Sequence, residues 1–321
     1  GAIREPWQLY PVYVLLGIGF ALCGSVPVGA IMTRWFVARR ARAMSLSMTG
    51  VSLGGMLLVP WMTALVQSDG LQATVGVLAV LLVVVVLPLT AFVLRFDPVD
   101  HGLQADGVKG EGAPPGAFAA RAHDVQHRLW RRREVLRTRT FWMLAASFGL
   151  LLFCQVAFLM HQLAYLREPL GPAVAALAVS ATAGSSMVAR LVVGVFADRV
   201  RKRELGVALF VLQAAALVIF TQATTPFGLF AGAILMGVTI GNIFMLQSLL
   251  VAELFGLPSF ATVLGVLQLF TQIASGLGPL ALGILYEQLG GYEPALWWLV
   301  VLALLAAGVL SRVQAPRTIA S

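Results

Sequence analysis

The chain has 321 residues, 59% hydrophobic and 11% charged, with a mean hydropathy of +0.89, whereas soluble domains run about 45 to 50% apolar and about 25% charged. So little polar surface cannot cover soluble cores, which excludes a soluble globular protein, a disordered chain and a coiled coil, and makes lipid the solvent. The net charge of +8 is concentrated in a few short stretches between apolar runs, which is the pattern of a membrane protein's loops.

Charged residues are so sparse that the gaps between them map the spans, since a spanning helix needs about 20 apolar residues. Residues 6–33, 43–68, 70–94, 140–166 and 169–189 each lack Asp, Glu, Lys and Arg. The charge-free gap 205–252 is broken at Thr221-Gln-Ala-Thr-Thr-Pro226, and because Pro cannot continue a helix interior it reads as two spans. Residues 254–286, with a helix start near Pro258, and 294–311 complete nine expected spans. Cys23 and Cys154 lie within apolar runs, where they behave as small hydrophobes and not as a disulfide or metal set. The opening Gly-Ala-Ile has no Met and no basic stretch before a short apolar core, so no signal peptide is expected.

Orientation follows from Lys and Arg, which cytoplasmic loops retain. One set of alternate connections carries Arg4 and Arg167 with five acids, Glu5, Asp69, Glu168, Glu287 and Glu293; the other carries the remaining 20 basic residues. That second side is expected to be cytoplasmic, in a bacterial inner membrane. The cluster Arg131-Arg132-Arg133 then belongs beside anionic headgroups, and a nucleic-acid partner is not expected. On this side lies the one long connection, residues 96–139. Its first part holds Gly110, Gly112, Pro114 and Pro115; Phe118 to Arg139 is expected as an amphipathic helix on the headgroups. The chain thus divides into three spans over 1–95, a cytoplasmic linker over 96–139, six spans over 140–312 and a cytoplasmic tail over 313–321.

Several segments resemble the major facilitator superfamily, and within it the bacterial monocarboxylate and oxalate/formate carriers. Arg34-Trp35-Phe36-Val-Ala-Arg39-Arg40-Ala-Arg42, followed by a Gly/Ser-rich helix to Pro60, resembles the basic loop between the fourth and fifth helices of those carriers. Asp97-Pro98-Val-Asp100-His101-Gly102 and Glu134-Val-Leu-Arg-Thr-Arg-Thr-Phe141-Trp142 resemble the two ends of the central linker. Gly194-Val-Phe-Ala-Asp198-Arg199-Val-Arg201-Lys202-Arg203 resembles the loop motif between the eighth and ninth helices. The resemblance implies an all-α membrane protein, a polytopic bundle with nine of the twelve helices of that fold, namely four to twelve, without the first three. It implies that such a chain alone does not transport. Internal symmetry agrees: Phe36 to Pro60 and Phe255 to Pro279 have equal spacing, each pair bracketing a helix rich in Gly, Ser and Thr.

Arg190 is the leading candidate for substrate binding. It sits eight residues before Asp198, about 12 Å along a helix axis, and an intramembrane guanidinium implies water, an anion or a partner. Its fork suits a carboxylate, and in related carriers an arginine here is implicated in binding the organic anion; the alternative is a structural arginine that snorkels or holds a neighbouring helix. Animal monocarboxylate carriers place Asp four residues earlier, where this chain has Ser186, which puts an Asp–Arg proton mechanism in doubt. Residues 258–286 also lack Lys, Arg and His, so a dicarboxylate held by two cations is disfavoured. Gln155, Asn242 and Gln272 are further substrate-binding candidates, although such residues serve more often as interhelical hydrogen bonds. His161 is the one histidine within a span and the proton-coupling candidate, because imidazole titrates near physiological pH. Asp198 and Arg199, with Arg39, Arg40 and Arg42, form the expected cytoplasmic gate, the carboxylate resting on amide groups around Ala43 to Ser47 at a helix N-terminus.

The function expected is secondary transport of a small organic anion, a monocarboxylate, by alternating access as a symporter or antiporter, with a proton as a candidate coupling ion. Efflux of a hydrophobic or drug-like compound is the alternative within transport. A membrane enzyme or a transport-inactive receptor or scaffold is the alternative of another class; the chain has no His-Glu-x-x-His and no span with paired carboxylates. No cofactor and no metal are expected.

Overall fold

The structure, a computed structural model, describes residues 5–95, 98, 105 and 129–316. Most of the linker, including Phe118 to Arg128 of the expected amphipathic helix, and Arg317 to Ser321 lie outside the described residues. After a 3-10 turn at Pro6–Gln8 come α1 (Leu9–Cys23), α2 (Ser25–Trp35) and α3 (Arg40–Pro88), the last continued by a π-helical turn at Leu89–Val93. Then follow α4 (Arg132–Arg137), α5 (Arg139–Ala197), α6 (Lys202–Gln222), α7 (Pro226–Phe255), α8 (Phe260–Leu289) and α9 (Tyr292–Ser311). Helices are what lipid allows, because each satisfies its own backbone polar groups.

Two helices are too long to be single spans. The 49 residues of α3 and 59 of α5 would reach about 74 and 89 Å at 1.5 Å per residue, against a hydrocarbon core of about 30 Å. Each is broken where the spans were expected to part: Gly70 has φ 82° and Gly171 φ 75°, a backbone that L side chains resist. Asp69 precedes one break; Arg167, Glu168 and Pro169 precede the other, and Pro172 follows it. The arms of α5 on either side of Gly171 are therefore two spans. The second arm continues past Ser186 to Ala197, so Arg190 lies within a helix and not at its end.

The run 6–33 departs from expectation. It breaks at Gly24 (φ −78°, ψ −157°) into α1 and α2, and with no charge at the break, the gap between charges could not reveal it. The linker also differs. Its described helix is the six-residue α4, closed by Thr138 (φ −82°, ψ 134°), whose hydroxyl accepts from Phe141 N and caps α5. Trp130 and Val135 are buried in the protein and not laid on headgroups: Trp130 N donates to Ser259 Oγ at 2.7 Å, and its ring meets Phe255 edge-on at 5.6 Å.

The chain forms two compact units. Residues 1–38 and 47–113 make the first, in which α1 packs on α2 and Trp35 Nε1 donates to Arg95 O at 2.9 Å. Residues 39–46 and 114–321 make the second, in which α5 packs against α7, α8 and α9, and α6 against α7 and α9. Phe141, Phe148, Phe158, Phe210, Phe220 and Phe255 fill its core. Arg39–Leu46 belongs to the second unit.

Candidate functional site

The second arm of α5 and α7 meet through small residues. A Cβ on Gly237 would strike the Thr182 carbonyl and Ser185 hydroxyl, and one on Gly241 would strike the Ser186 carbonyl. Lipid gives little hydrophobic drive to helix association, so close packing at such small-x-x-x-small positions holds spans together. That approach brings the Gly241 carbonyl to Arg190, whose Nε donates to it at 2.8 Å. Arg190 is 8% exposed and lies one turn beyond Ser186. The Gly241 carbonyl thus accepts from Nε of a buried guanidinium. Beside Gly241, Asn242 is fully buried; its Nδ2 donates to Val238 O at 2.9 Å, and its Oδ1 has no partner among the described residues.

One and two turns further along α5, Gly194 and Asp198 share the face that carries the Arg190 carbonyl. All three meet the first turns of α3. Ser45 Oγ donates to the Arg190 carbonyl, and a Cβ on Gly194 would overlap Ser45. Asp198 Oδ1 accepts from Ala41 N at 2.8 Å and Oδ2 from Arg42 N at 3.3 Å. The first N–H groups of a helix have no acceptor within it, so Asp198 caps α3 from another helix, as an N-cap residue would from its own. Because α3 starts at Arg40, these amides lie one and two residues before the expected Ala43 to Ser47. Both oxygens of the carboxylate are thus received by backbone groups, each from a different residue of the first turn. This contact draws Arg39–Leu46 into the second unit.

Deeper in the bundle, Gln155 Nε2 donates to Gln213 Oε1 at 3.1 Å, Gln213 Nε2 to Leu151 O at 3.2 Å, and Thr239 Oγ1 approaches Gln213 Oε1 at 3.5 Å. Gln155 thus ties α5, α6 and α7 together, in the way that buried amides commonly do in membranes. Gln162 Nε2 reaches Thr182 Oγ1 at 2.7 Å, joining the two arms of α5. At the end of the bundle away from Asp198, His161 Nε2 lies 3.1 Å from the Pro279 carbonyl and Nδ1 lies 3.1 Å from Tyr292 Oη. A carbonyl only accepts, so Nε2 carries the proton of the neutral ring and Nδ1 receives the tyrosine hydroxyl. Tyr165, Tyr286 and Phe220 pack around this pair, with Tyr165 donating to the Phe220 carbonyl. Gln272 is exposed on α8. Among the described residues, no group of His, Cys, Asp or Glu could hold a metal ion.

The profile of the Major Facilitator Superfamily matches residues 3–171 and again 157–320. The chain belongs to the Major Facilitator Superfamily. It is also similar to Monocarboxylate transporter 10 of Danio rerio, with 26% identity over 311 residues that cover 94% of this chain and 58% of that protein. The chain therefore spans well under two thirds of that relative's length. It is a multi-pass membrane protein of the superfamily's helical type.

Within this superfamily member the structure gathers some predicted site residues and separates others. Arg190 reaches the carbonyl of Gly241, the residue before Asn242, whose own amide donates to Val238 O, and Asp198 meets the start of α3. Gln155 belongs to the Gln213 network, and His161 to the tyrosine cluster. No role was expected for Gly237, Gly241, Ser45 or Gln213, and Gly194 figured only as the first residue of the loop motif. A signal existed for two of them, the spacing Gly237-Val-Thr-Ile-Gly241 inside a span.

Proposed function

We propose that the chain serves in secondary transport of a small monocarboxylate, with Arg190 as the group that binds its carboxylate. The observation that carries this reading is a buried guanidinium whose Nε is tied to the Gly241 carbonyl. A guanidinium is planar and always charged, which suits it to a carboxylate. Asn242 Oδ1, a buried acceptor one residue from Gly241, is assigned to a hydroxyl or N–H donor on the same ligand. Membership of the superfamily and similarity to a protein named as a monocarboxylate transporter support the substrate class.

The remaining assignments follow from charge and geometry. The basic loops, with Asp198, face the cytoplasm of a bacterial inner membrane. The carriers of this superfamily work by alternating access, and the docking of Asp198 on the α3 amides is assigned as a latch of the cytoplasmic gate, with Arg39, Arg40, Arg42 and Arg199 supplying positive potential around it. His161 is assigned the proton-responsive role. The first three spans and the last six are assigned to separate helical bundles.

Binding of labelled lactate, which carries both a carboxylate and a hydroxyl, to the protein in nanodiscs tests the proposal. Arg190→Gln should abolish saturable binding and Arg190→Lys weaken it at least tenfold while the protein stays folded; binding by the Gln variant at the wild-type affinity overturns it.

A further inference from the structure

At the end of the bundle that bears Asp198, a cleft of about 500 Å³ opens between the start of α5 and the chain leaving α9. Three arginines line it: Arg137 ends α4, Arg139 begins α5 and Arg312 follows α9. All three are exposed, and none of their side chains is engaged by another described residue. The cleft is held in shape from both sides. Thr140 Oγ1 donates to Gln314 O at 2.9 Å and Arg203 Nη1 to Val313 O at 3.1 Å, so the segment after α9 is pinned against α5 and α6. Thr138 occupies the N-cap of α5, whose dipole adds positive potential at the same place.

Three arginines lining one cleft, with no acid among the lining residues, are the chemistry of a phosphate site. Two observations select a lipid headgroup over a free phosphate. Trp142, one residue before the lining Met143, is 46% exposed while its Nε1 already donates to Leu136 O at 2.7 Å. An exposed indole with its polar edge satisfied marks the headgroup level of a bilayer. From Arg312, moreover, one face of α9 runs back through Gly308, Leu305, Leu304 and Val301 at helical spacing, all exposed, and no atom lies within 4 Å of where a Gly308 Cβ would stand. That stripe is an open apolar track leading away from the cleft. We propose that this cleft is a specific site for one anionic phospholipid, its phosphate held by Arg137, Arg139 and Arg312 and an acyl chain laid along α9.

Native mass spectrometry of the purified protein, stripped of lipid and then given an equimolar mixture of phosphatidylglycerol and phosphatidylcholine, tests this. A basic residue near an anionic surface is worth roughly a fivefold preference, so the wild type should retain one phosphatidylglycerol with at least a tenfold preference. The combined variant Arg137→Gln, Arg139→Gln, Arg312→Gln should lose that preference. The matched variant Arg131→Gln, Arg132→Gln, Arg133→Gln, whose residues do not line the cleft, should keep it. Should the first variant not fold, Arg312→Gln alone reads the same quantity, with a drop of about fivefold expected. No preference in the wild type overturns the proposal, as does equal loss in both combined variants, which would mean diffuse basic attraction. Displacement of the lipid by millimolar inorganic phosphate overturns it as well, because the site would then be one for a free anion.

Discussion

Replacing Asp198 by asparagine removes one charge from the N-terminus of α3 and leaves the side chain nearly the same shape. The amide oxygen can still accept from Ala41 N, now 2.8 Å from the carboxylate, but the amide nitrogen then faces Arg42 N, at 3.3 Å, donor against donor. The longer bond is lost and the shorter one is no longer charge-assisted. For a half-buried anion at a helix N-terminus this amounts to about 1 to 2 kcal/mol, a shift of about 5- to 30-fold in favour of the undocked arrangement. Cysteine accessibility reads that shift once Cys23 and Cys154 have been replaced. Ala41 and Ala197 are fully buried beside the contact, and Ala303 is fully buried in α9. Thiols introduced at Ala41 or Ala197 should react with a water-soluble maleimide about 5 to 30 times faster in the Asn variant, while one at Ala303 should not change. Equal rates at Ala41 and Ala197 would refute the latch, and acceleration at all three would mean general unfolding instead.

Gly241→Val should destabilise the protein by about 1 to 3 kcal/mol, since its Cβ would strike the Ser186 carbonyl; thermal unfolding in detergent checks this against Gly265→Ala, where nothing lies within 4 Å and little change is expected. Gln213→Leu leaves Gln155 Nε2 buried without its partner and should cost about 1 kcal/mol. Adding Gln155→Leu should then recover part of the loss, and strict additivity of the two unfolding shifts would contradict the network.

The spans were legible because lipid tolerates few charges, so charge-free runs and transmembrane helices coincide. The breaks at Gly70 and Gly171 announced themselves through Asp69 and through Arg167, Glu168 and Pro169. Gly24 gave no such notice, lying in an apolar run where only backbone geometry marks the bend. Arg190 and Asp198 stood out for the same reason as the spans, as charges where charge is expensive or acid is rare. Their partners did not stand out, because the Gly241 carbonyl and the Ala41 and Arg42 amides are backbone groups that every residue carries. Which of them is reached depends on how closely two helices approach, and that is decided by the small residues Gly194, Gly237 and Gly241 and by the start of α3 at Arg40. The roles of Gln155 and Gln213 were open for a similar reason: a buried amide reads alike in sequence whether it faces a ligand or another amide.

The central claim is that Arg190 recognises a carboxylate. Calorimetric titration of the protein in nanodiscs with pyruvate, lactate and propionate, and with propionamide as the uncharged match of propionate, tests it most directly. The acids should bind and propionamide should not, and Arg190→Lys should weaken the acids at least tenfold, as the loss of a bidentate charge-assisted pair worth about 1.5 to 3 kcal/mol requires. Binding of propionamide as tight as that of propionate, or acid affinity unchanged in the Lys variant, would contradict it.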